Sequence, residues 1–98
     1  MDVEEAKAFW EWFESEEAWI IECISKNDAS VIWAVDERIK QVFPYYRDEV
    51  EFQLGFNDGQ GEFFFYHAYV KILMRESEKF GSLMTPKIAS RWNYIVEA

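Results

Sequence analysis

The spacing of apolar residues changes halfway along the chain, and this change constrains the fold more than any other feature. Up to Phe43, apolar side chains recur every three or four residues, as in helices that bury one face. From Val50 the period becomes two, which indicates a half-buried strand. The apolar positions are Val50, Phe52, Leu54 and Phe56, alternating with Glu49, Glu51, Gln53 and Gly55. Helices followed by a strand of this kind favour the α+β class.

A tight turn follows this strand. The sequence Asn-Asp-Gly-Gln-Gly at 57–61 supplies residues that accept positive φ, and 62–67 has the composition of a returning strand, so the segment predicts a β-hairpin. Residues 63–66 are all aromatic and place rings on both faces of the second strand. We therefore expect this strand, or part of it, to be covered on both sides.

The N-terminal part predicts two helical stretches. Asp2, with Glu5 three residues later, forms a capping pair at a helix start. The apolar face of this first helix comprises Val3, Ala6, Phe9, Trp10 and Phe13. Ser15 is the expected cap of a second stretch, with Ile20, Ile21 and Ile24 on its buried side. The two stretches form either separate helices or one bent helix.

The clearest helix pattern starts at Asp28 or Ser30 and ends at Phe43, because Pro44 disfavours helical geometry at the residue before it. Its predicted buried stripe is Ile32, Val35, Ile39, Val42 and Phe43.

Two further elements are expected after the hairpin. Helical spacing over Tyr69–Phe80 runs through Val70, Leu73 and Met74, and Gly81 stands where a left-handed terminal residue would end the helix. Thr85 followed by Pro86 then predicts a short helical turn over 86–90. Period two returns in Trp92, Tyr94 and Val96, which indicates a closing strand.

These elements predict a single α+β domain over 1–98, with a three-stranded, mainly antiparallel sheet and helices packed on one main face. The last strand could pair beside either hairpin strand, and the connection is long enough for a parallel, right-handed crossover. The chain has no internal repeat and no Pro/Ser-rich linker.

Charge is concentrated near the N-terminus. Residues 1–22 contain eight carboxylates and one base, Lys7, and the whole chain has a formal net charge of −9. We expect these acids to coat a folded body, because 19% aromatic residues argue against disorder. A negative surface repels nucleic acid and anionic lipid and attracts a basic protein partner. With no apolar run near the ~20 residues that span a bilayer, we expect no membrane segment and a cytoplasmic location.

The sequence contains no catalytic motif, and its single cysteine and single histidine cannot supply a structural zinc site. We therefore expect no metal and no cofactor. His67 could act as a general base with Glu49 or Glu62, which would make the protein an enzyme or a small-ligand binder. A lone histidine without a nearby nucleophile is more often structural, and Cys23, among apolar helical residues, is interpreted as a packing residue.

Three tryptophans fall at the rims of predicted helical faces. Trp33 lies about 130° from the centre of the helix stripe, beside Glu37 and Lys40, and Trp12 and Trp19 occupy similar rim positions. Together they would form a patch framed by acids, with Trp12, Trp19, Trp33, Glu11, Glu14 and Glu37 as candidate partner-binding residues. The alternatives are that another helix buries these rings, or that the patch is the interface of a homo-oligomer.

Several aromatic segments carry a family resemblance. They are Phe9-Trp10-Glu11-Trp12-Phe13, Phe43-Pro44, the strand segment Glu51-Phe52-Gln53-Leu54-Gly55, the strand from Glu62, and the strand at Trp92. The chain resembles a group of uncharacterised small acidic bacterial α+β proteins with the same order of elements. Some proteins of this general kind act as immunity proteins against toxins. The resemblance implies an immunity-like role by analogy and transfers no active-site residues. The acidic helical face and the rim tryptophans predict a non-catalytic protein-interaction module that binds a basic protein.

Overall fold

A computed structural model describes all 98 residues, Met1–Ala98. The chain is an α+β protein with five helices packed against an open three-stranded sheet. The elements are α1 (Val3–Ser15), α2 (Glu17–Ser25), α3 (Ser30–Val42), β1 (Glu51–Asn57), β2 (Gln60–Tyr66), α4 (Lys71–Ser82), α5 (Pro86–Arg91) and β3 (Trp92–Glu97). None of the helices has both the length and the apolar character required to cross a bilayer.

The sheet has the order β1-β2-β3 and is mixed. β1 and β2 form the predicted antiparallel hairpin, closed by the paired residues Asn57 and Gln60. Asp58 (φ 52°) and Gly59 (φ 77°) form the two-residue turn, and their positive φ angles match the twist of the flanking strands. β3 pairs with β2 in the parallel direction. The last strand therefore lies beside the second hairpin strand, where the sequence allowed either one.

The two faces of the sheet have different surroundings. On the covered face, Phe63, Phe65 and Trp92 are buried in a core formed with the helices. On the open face, Phe64 and Tyr66 are half-buried and lie outside that core. The expectation that β2 is covered on both sides is therefore wrong, because the helices that bury the aromatic core all contribute to one face.

The first two helices are separate. Asp2 Oδ1 accepts the predicted capping hydrogen bond from the Glu5 N–H at 3.0 Å, and Ala6, Phe9, Trp10 and Phe13 of α1 are buried as expected. The helical conformation is interrupted at Glu16, and the Ser15 hydroxyl donates to the Trp12 carbonyl at 2.8 Å. The prediction that Ser15 caps α2 is wrong, because its hydroxyl is bonded within the last turn of α1.

Helix α3 and its C-terminal neighbour bury four of the five predicted residues, Val35, Ile39, Val42 and Phe43, and the prediction is wrong only at Ile32. The buried residues of the helix are Val31, Val35, Ile39 and Val42. Ile32, which was predicted to belong to the buried stripe, is 43% exposed. The spacing of 31, 35, 39 and 42 describes one helical face as well as the predicted set does. Val31 lies near Cys23 of α2 and Leu54 of β1.

Helix α4 continues through Gly81 to Ser82, and Gly81 is not among the residues with positive φ. A Cβ atom at Gly81 would lie 2.3 Å from Cδ2 of Tyr94. Gly81 is therefore required by the close approach of an aromatic ring, and its predicted role as a left-handed terminus is wrong. The start of α5 is as predicted, with Pro86 in the first turn and the Thr85 hydroxyl accepting from the Ile88 N–H at 3.3 Å.

Candidate functional site

A groove of about 440 Å³ runs between the α1–α2 segment and α3. Trp12, Glu16 and Trp19 form one wall, and Ala34, Glu37, Arg38 and Gln41 form the other. Trp12 lies on α1 at the edge of its buried stripe, and Glu16, one helical turn later, is the residue that follows α1. The groove has the volume of a typical ligand-binding pocket, and it combines aromatic rings with both signs of charge.

The Trp12 ring lies close to side chains of both α1 and α3. Its centroid lies 6.0 Å from that of Phe9 and 6.5 Å from that of Phe13. The guanidinium carbon of Arg38 lies 4.4 Å from the Trp12 ring centroid, which is a cation–π distance. Trp12 is therefore a rigid wall of the groove, and Arg38 joins α3 to α1 across it.

The other two candidate tryptophans are more accessible. Trp19 is 37% exposed at the groove wall, and Trp33 is 72% exposed. Trp33 lies on α3 one turn before Glu37, so it stands at the edge of the groove and does not line it. The structure thus places the Trp33 ring in solvent, as its helical angle predicts.

Charges at the groove are partly unpaired. Lys40, which the sequence places near Trp33, forms an ion pair with Asp36 at 2.9 Å. None of the four ion pairs in the molecule involves Glu16 or Glu37. Both of these carboxylates are exposed and free to meet a cation from outside.

The remaining predicted acids lie elsewhere. Glu14 Oε1 accepts from the Thr85 hydroxyl at 2.6 Å and lines a different cleft, between α1–α2 and α5. Glu11 is exposed and does not line the groove. Of the six candidate residues, the structure brings Trp12, Trp19 and Glu37 together.

The sequence reasoning missed four residues of the groove: Glu16, Ala34, Arg38 and Gln41. Arg38 lies on the flank of α3 between its buried stripe and the outward face. Its proximity to Trp12 follows from the packing of α1 against α3, which a helical wheel of either helix alone does not contain.

One acid of the N-terminal segment is structural. Glu17 is only 5% exposed, and its Oε2 accepts from the Trp92 indole N–H at 2.9 Å and lies 3.1 Å from Arg91 Nε. This carboxylate connects the start of α2 to the junction of α5 and β3. The expectation that the acids coat the surface therefore fails at Glu17, because its carboxylate has buried partners.

His67 lies at the end of β2 and is buried. Its Nδ1 accepts from the Tyr69 backbone N–H at 3.0 Å, which holds a turn in which Ala68 and Tyr69 both have positive φ. Glu62 is five residues away on the same strand, about 17 Å along it, and faces the opposite side of the sheet. Glu49 makes no side-chain hydrogen bond or ion pair with His67, so neither predicted carboxylate partner is assembled with it.

Cys23 is buried beside the apolar side of α2, as expected of a packing residue. Burial raises the pKa of its thiol, and the nearby carboxylate of Asp28 raises it further. The thiol therefore stays protonated and weakly nucleophilic at neutral pH. No three His, Cys, Asp or Glu side chains are grouped closely enough to hold a metal ion.

Comparison of the chain with protein-family models, with curated proteins and with solved structures finds no match. The groove and its tryptophans are therefore interpreted from their own geometry and charge.

Proposed function

We propose that this protein is a non-catalytic protein-interaction module that binds a basic protein through the groove and the adjacent Trp33. The observation that carries this proposal is the 72% exposure of the Trp33 ring beside a groove lined by two further tryptophans. Burying such a ring against a partner removes a large apolar surface from water. Tryptophan is also the residue type most enriched among those that dominate binding energy.

Charge supports a basic partner. The chain has a net charge of −9, and the unpaired Glu16 and Glu37 lie at the groove itself. Complementary charge accelerates encounter with a basic protein and disfavours nucleic acid, whose phosphates require clustered Lys and Arg. Arg38, held over Trp12, presents a rigid set of donors that can fix the orientation of a partner's carbonyl or carboxylate groups.

An immunity-like role fits these properties, with the protein blocking a basic toxin by covering part of its surface. Such a role requires affinity and specificity and needs no catalytic group in this chain. We propose a cytoplasmic location, because a single buried thiol that forms no disulfide suits a reducing compartment.

Affinity capture from the native cell extract tests this function, with the wild-type protein and Trp33→Ala as baits. Tyr45→Ala is the matched control, because Tyr45 is an aromatic residue that is 90% exposed and lies outside the groove. We expect a basic protein to be retained by the wild type and by Tyr45→Ala and to be lost with Trp33→Ala. For the purified pair, the Trp33 substitution should weaken binding by about thirtyfold or more, as at a binding hot spot.

Two outcomes would contradict the proposal. Retention of the partner by folded Trp33→Ala would show that this tryptophan surface is not the binding site. If sedimentation shows that the wild type is a stable oligomer and that Trp33→Ala is a monomer, the surface is a self-interface, and the homo-oligomer alternative replaces the binding module.

A further inference from the structure

The open face of the sheet carries an aromatic platform that no helix covers. In β2, Glu62, Phe64 and Tyr66 point to this face, because they alternate with the buried Phe63 and Phe65. On the neighbouring strands β1 and β3, Glu62 is paired with Gly55 and Asn93, and Phe64 with Gln53 and Ile95. Tyr66 is paired with Glu51 and Glu97. These nine positions include three carboxylates and no lysine or arginine.

The rings of the platform are held in a defined arrangement. The Phe64 and Tyr66 ring planes differ by 9° and their centroids are 6.3 Å apart, so the two rings lie parallel to each other. The Tyr66 hydroxyl donates to Gln53 Oε1 at 2.8 Å, which fixes the position of the Tyr66 ring. A preorganised aromatic surface loses little side-chain entropy when a ligand binds to it.

Space is available next to these rings. No atom lies within 4 Å of the point where a Cβ on Gly55 would be, so the sheet is open beside Glu62. At the other end of the face, a recess of about 490 Å³ is lined in part by Glu51, Gln53 and Tyr66. A side chain from another molecule can therefore reach both the rings and the carboxylates.

The charge of this face determines which occupant it suits. A second copy of the chain would bring two sets of three carboxylates together, and like charges across an interface cost affinity. Single-stranded nucleic acid stacks on aromatic sheet surfaces only where positive charge follows its backbone, and here the charge is negative. None of the four ion pairs involves Glu51, Glu62 or Glu97, so all three are available to an external cation.

We propose that the open face is a second interaction surface, which binds an arginine- or lysine-rich segment of a partner protein. The cationic side chains stack on Phe64 and Tyr66 and pair with Glu51, Glu62 and Glu97. Cations are attracted to aromatic faces, and the flanking carboxylates add direct charge complementarity. This surface lies on the other side of the sheet from the helical groove, so it does not depend on the function proposed for that groove.

An NMR titration with an oligo-arginine peptide tests this proposal, with an oligo-glutamate peptide of equal length as the charge-reversed control. The test variant is the triple substitution Glu51→Gln, Glu62→Gln and Glu97→Gln. Its matched control is Glu4→Gln, Glu11→Gln and Glu78→Gln, which replaces three exposed carboxylates elsewhere. Both triples change the formal net charge from −9 to −6, so they differ only in where the charge is removed.

We expect the arginine peptide to shift the ring resonances of Phe64 and Tyr66 and the amides of the three strands, and the glutamate peptide to shift neither. The open-face triple should weaken binding by about tenfold, or about two- to threefold for each carboxylate, whereas the control triple should weaken it by less than about twofold. Phe64→Leu, which keeps an apolar side chain but removes the π face, should weaken binding by about two- to fivefold.

Equal losses in the two triples would overturn the proposal, because bulk charge alone would then explain the binding. Shifts confined to the α1–α3 groove, with loss on Glu16→Gln and Glu37→Gln, would assign the peptide to the groove instead. A dimer in sedimentation that Phe64→Leu dissociates would identify a second copy as the occupant. Circular dichroism of each variant confirms that its fold is retained before binding is compared.

Discussion

The two faces of the sheet are made from alternate residues of the same strands, yet only one of them is part of the core. Phe63 is fully buried and its ring lies near those of Phe9, Trp10 and Phe13, whereas Phe64, the next residue, has one aromatic neighbour, Tyr66. The side chains are identical in chemistry. The difference shows that an aromatic residue in a strand becomes a core residue only where another layer covers it.

The tryptophans divide in the same way. Trp10 and Trp92 are buried, and each indole N–H donates to a buried acceptor, the Phe80 carbonyl at 2.8 Å and the Glu17 carboxylate at 2.9 Å. The more exposed Trp19 and Trp33 donate no hydrogen bond within the protein. Burial of an indole requires a partner for its N–H, and the chain supplies one only for the tryptophans inside the core.

The largest expected effect comes from the neighbouring phenylalanines. Phe63→Ala should lower the free energy of unfolding by about 3–5 kcal/mol, because it removes a buried ring and leaves a cavity. Phe64→Ala should lower it by about 1 kcal/mol, since the ring is half-buried and outside the core. Urea denaturation of the two variants measures the difference. Equal losses would mean that the open face is packed in solution and would remove the basis for a second binding surface.

Two glycines give the next contrast. Inside a helix, Ala normally stabilises the fold by about 1 kcal/mol relative to Gly. At Gly81, however, the added Cβ would overlap the Tyr94 ring. We therefore expect Gly81→Ala to lower the free energy of unfolding by about 1–3 kcal/mol. Gly55→Ala on the open face meets no atom and should change stability by less than about 0.5 kcal/mol. In a Tyr94→Ala background, Gly81→Ala should become neutral or stabilising. A destabilisation that persists there would contradict the steric explanation.

Tyr94 makes the covered side sensitive to alkaline pH. Burial raises the pKa of its phenol, whose hydroxyl donates to the Ser77 carbonyl at 2.7 Å. Above about pH 10 this tyrosine ionises in the unfolded chain but stays protonated in the folded one, so stability falls as pH rises, by about 1.4 kcal/mol per unit for this group. Urea unfolding between pH 9 and 11 should therefore show a shallower loss for Tyr94→Phe than for the wild type, with Tyr45→Phe as the exposed control. Identical pH slopes in Tyr94→Phe and the wild type would contradict this role of burial.

The parts of the fold that sequence predicts are those fixed by local chemistry. The Asp58-Gly59 turn, the Asp2 cap and the Thr85-Pro86 start each depend on residues within a few positions of one another. The errors concern contacts between distant elements. The sequence predicts a structural role for Gly81, but the residue that requires a glycine there is Tyr94, thirteen positions later. The burial of Val31 and the exposure of the face that carries Phe64 both depend on how the helices pack against the sheet.

The candidate site follows the same rule. The outward position of Trp33 follows from the angle of one helix and could be predicted, whereas the groove requires α1, α2 and α3 to be in place. Glu14 was assigned to the tryptophan patch because it is near in sequence, yet it lies on the other flank of α1, where Thr85 binds it. Neighbourhood along a helix therefore does not establish a shared surface.

Trp33 has one of the smallest expected effects on stability, and it tests whether the outer aromatics are separate from the core. Trp33→Ala should change the free energy of unfolding by less than about 0.5 kcal/mol, because the ring is 72% exposed and donates no hydrogen bond within the protein. Trp10→Ala is the comparison, with an expected loss of about 3–5 kcal/mol from a ring that is fully buried. Thermal and urea denaturation of both variants, together with partner capture, separate the two roles of tryptophan. If Trp33→Ala lowers the free energy of unfolding by several kcal/mol, Trp33 stabilises the fold, and the proposal that it serves partner binding loses its support.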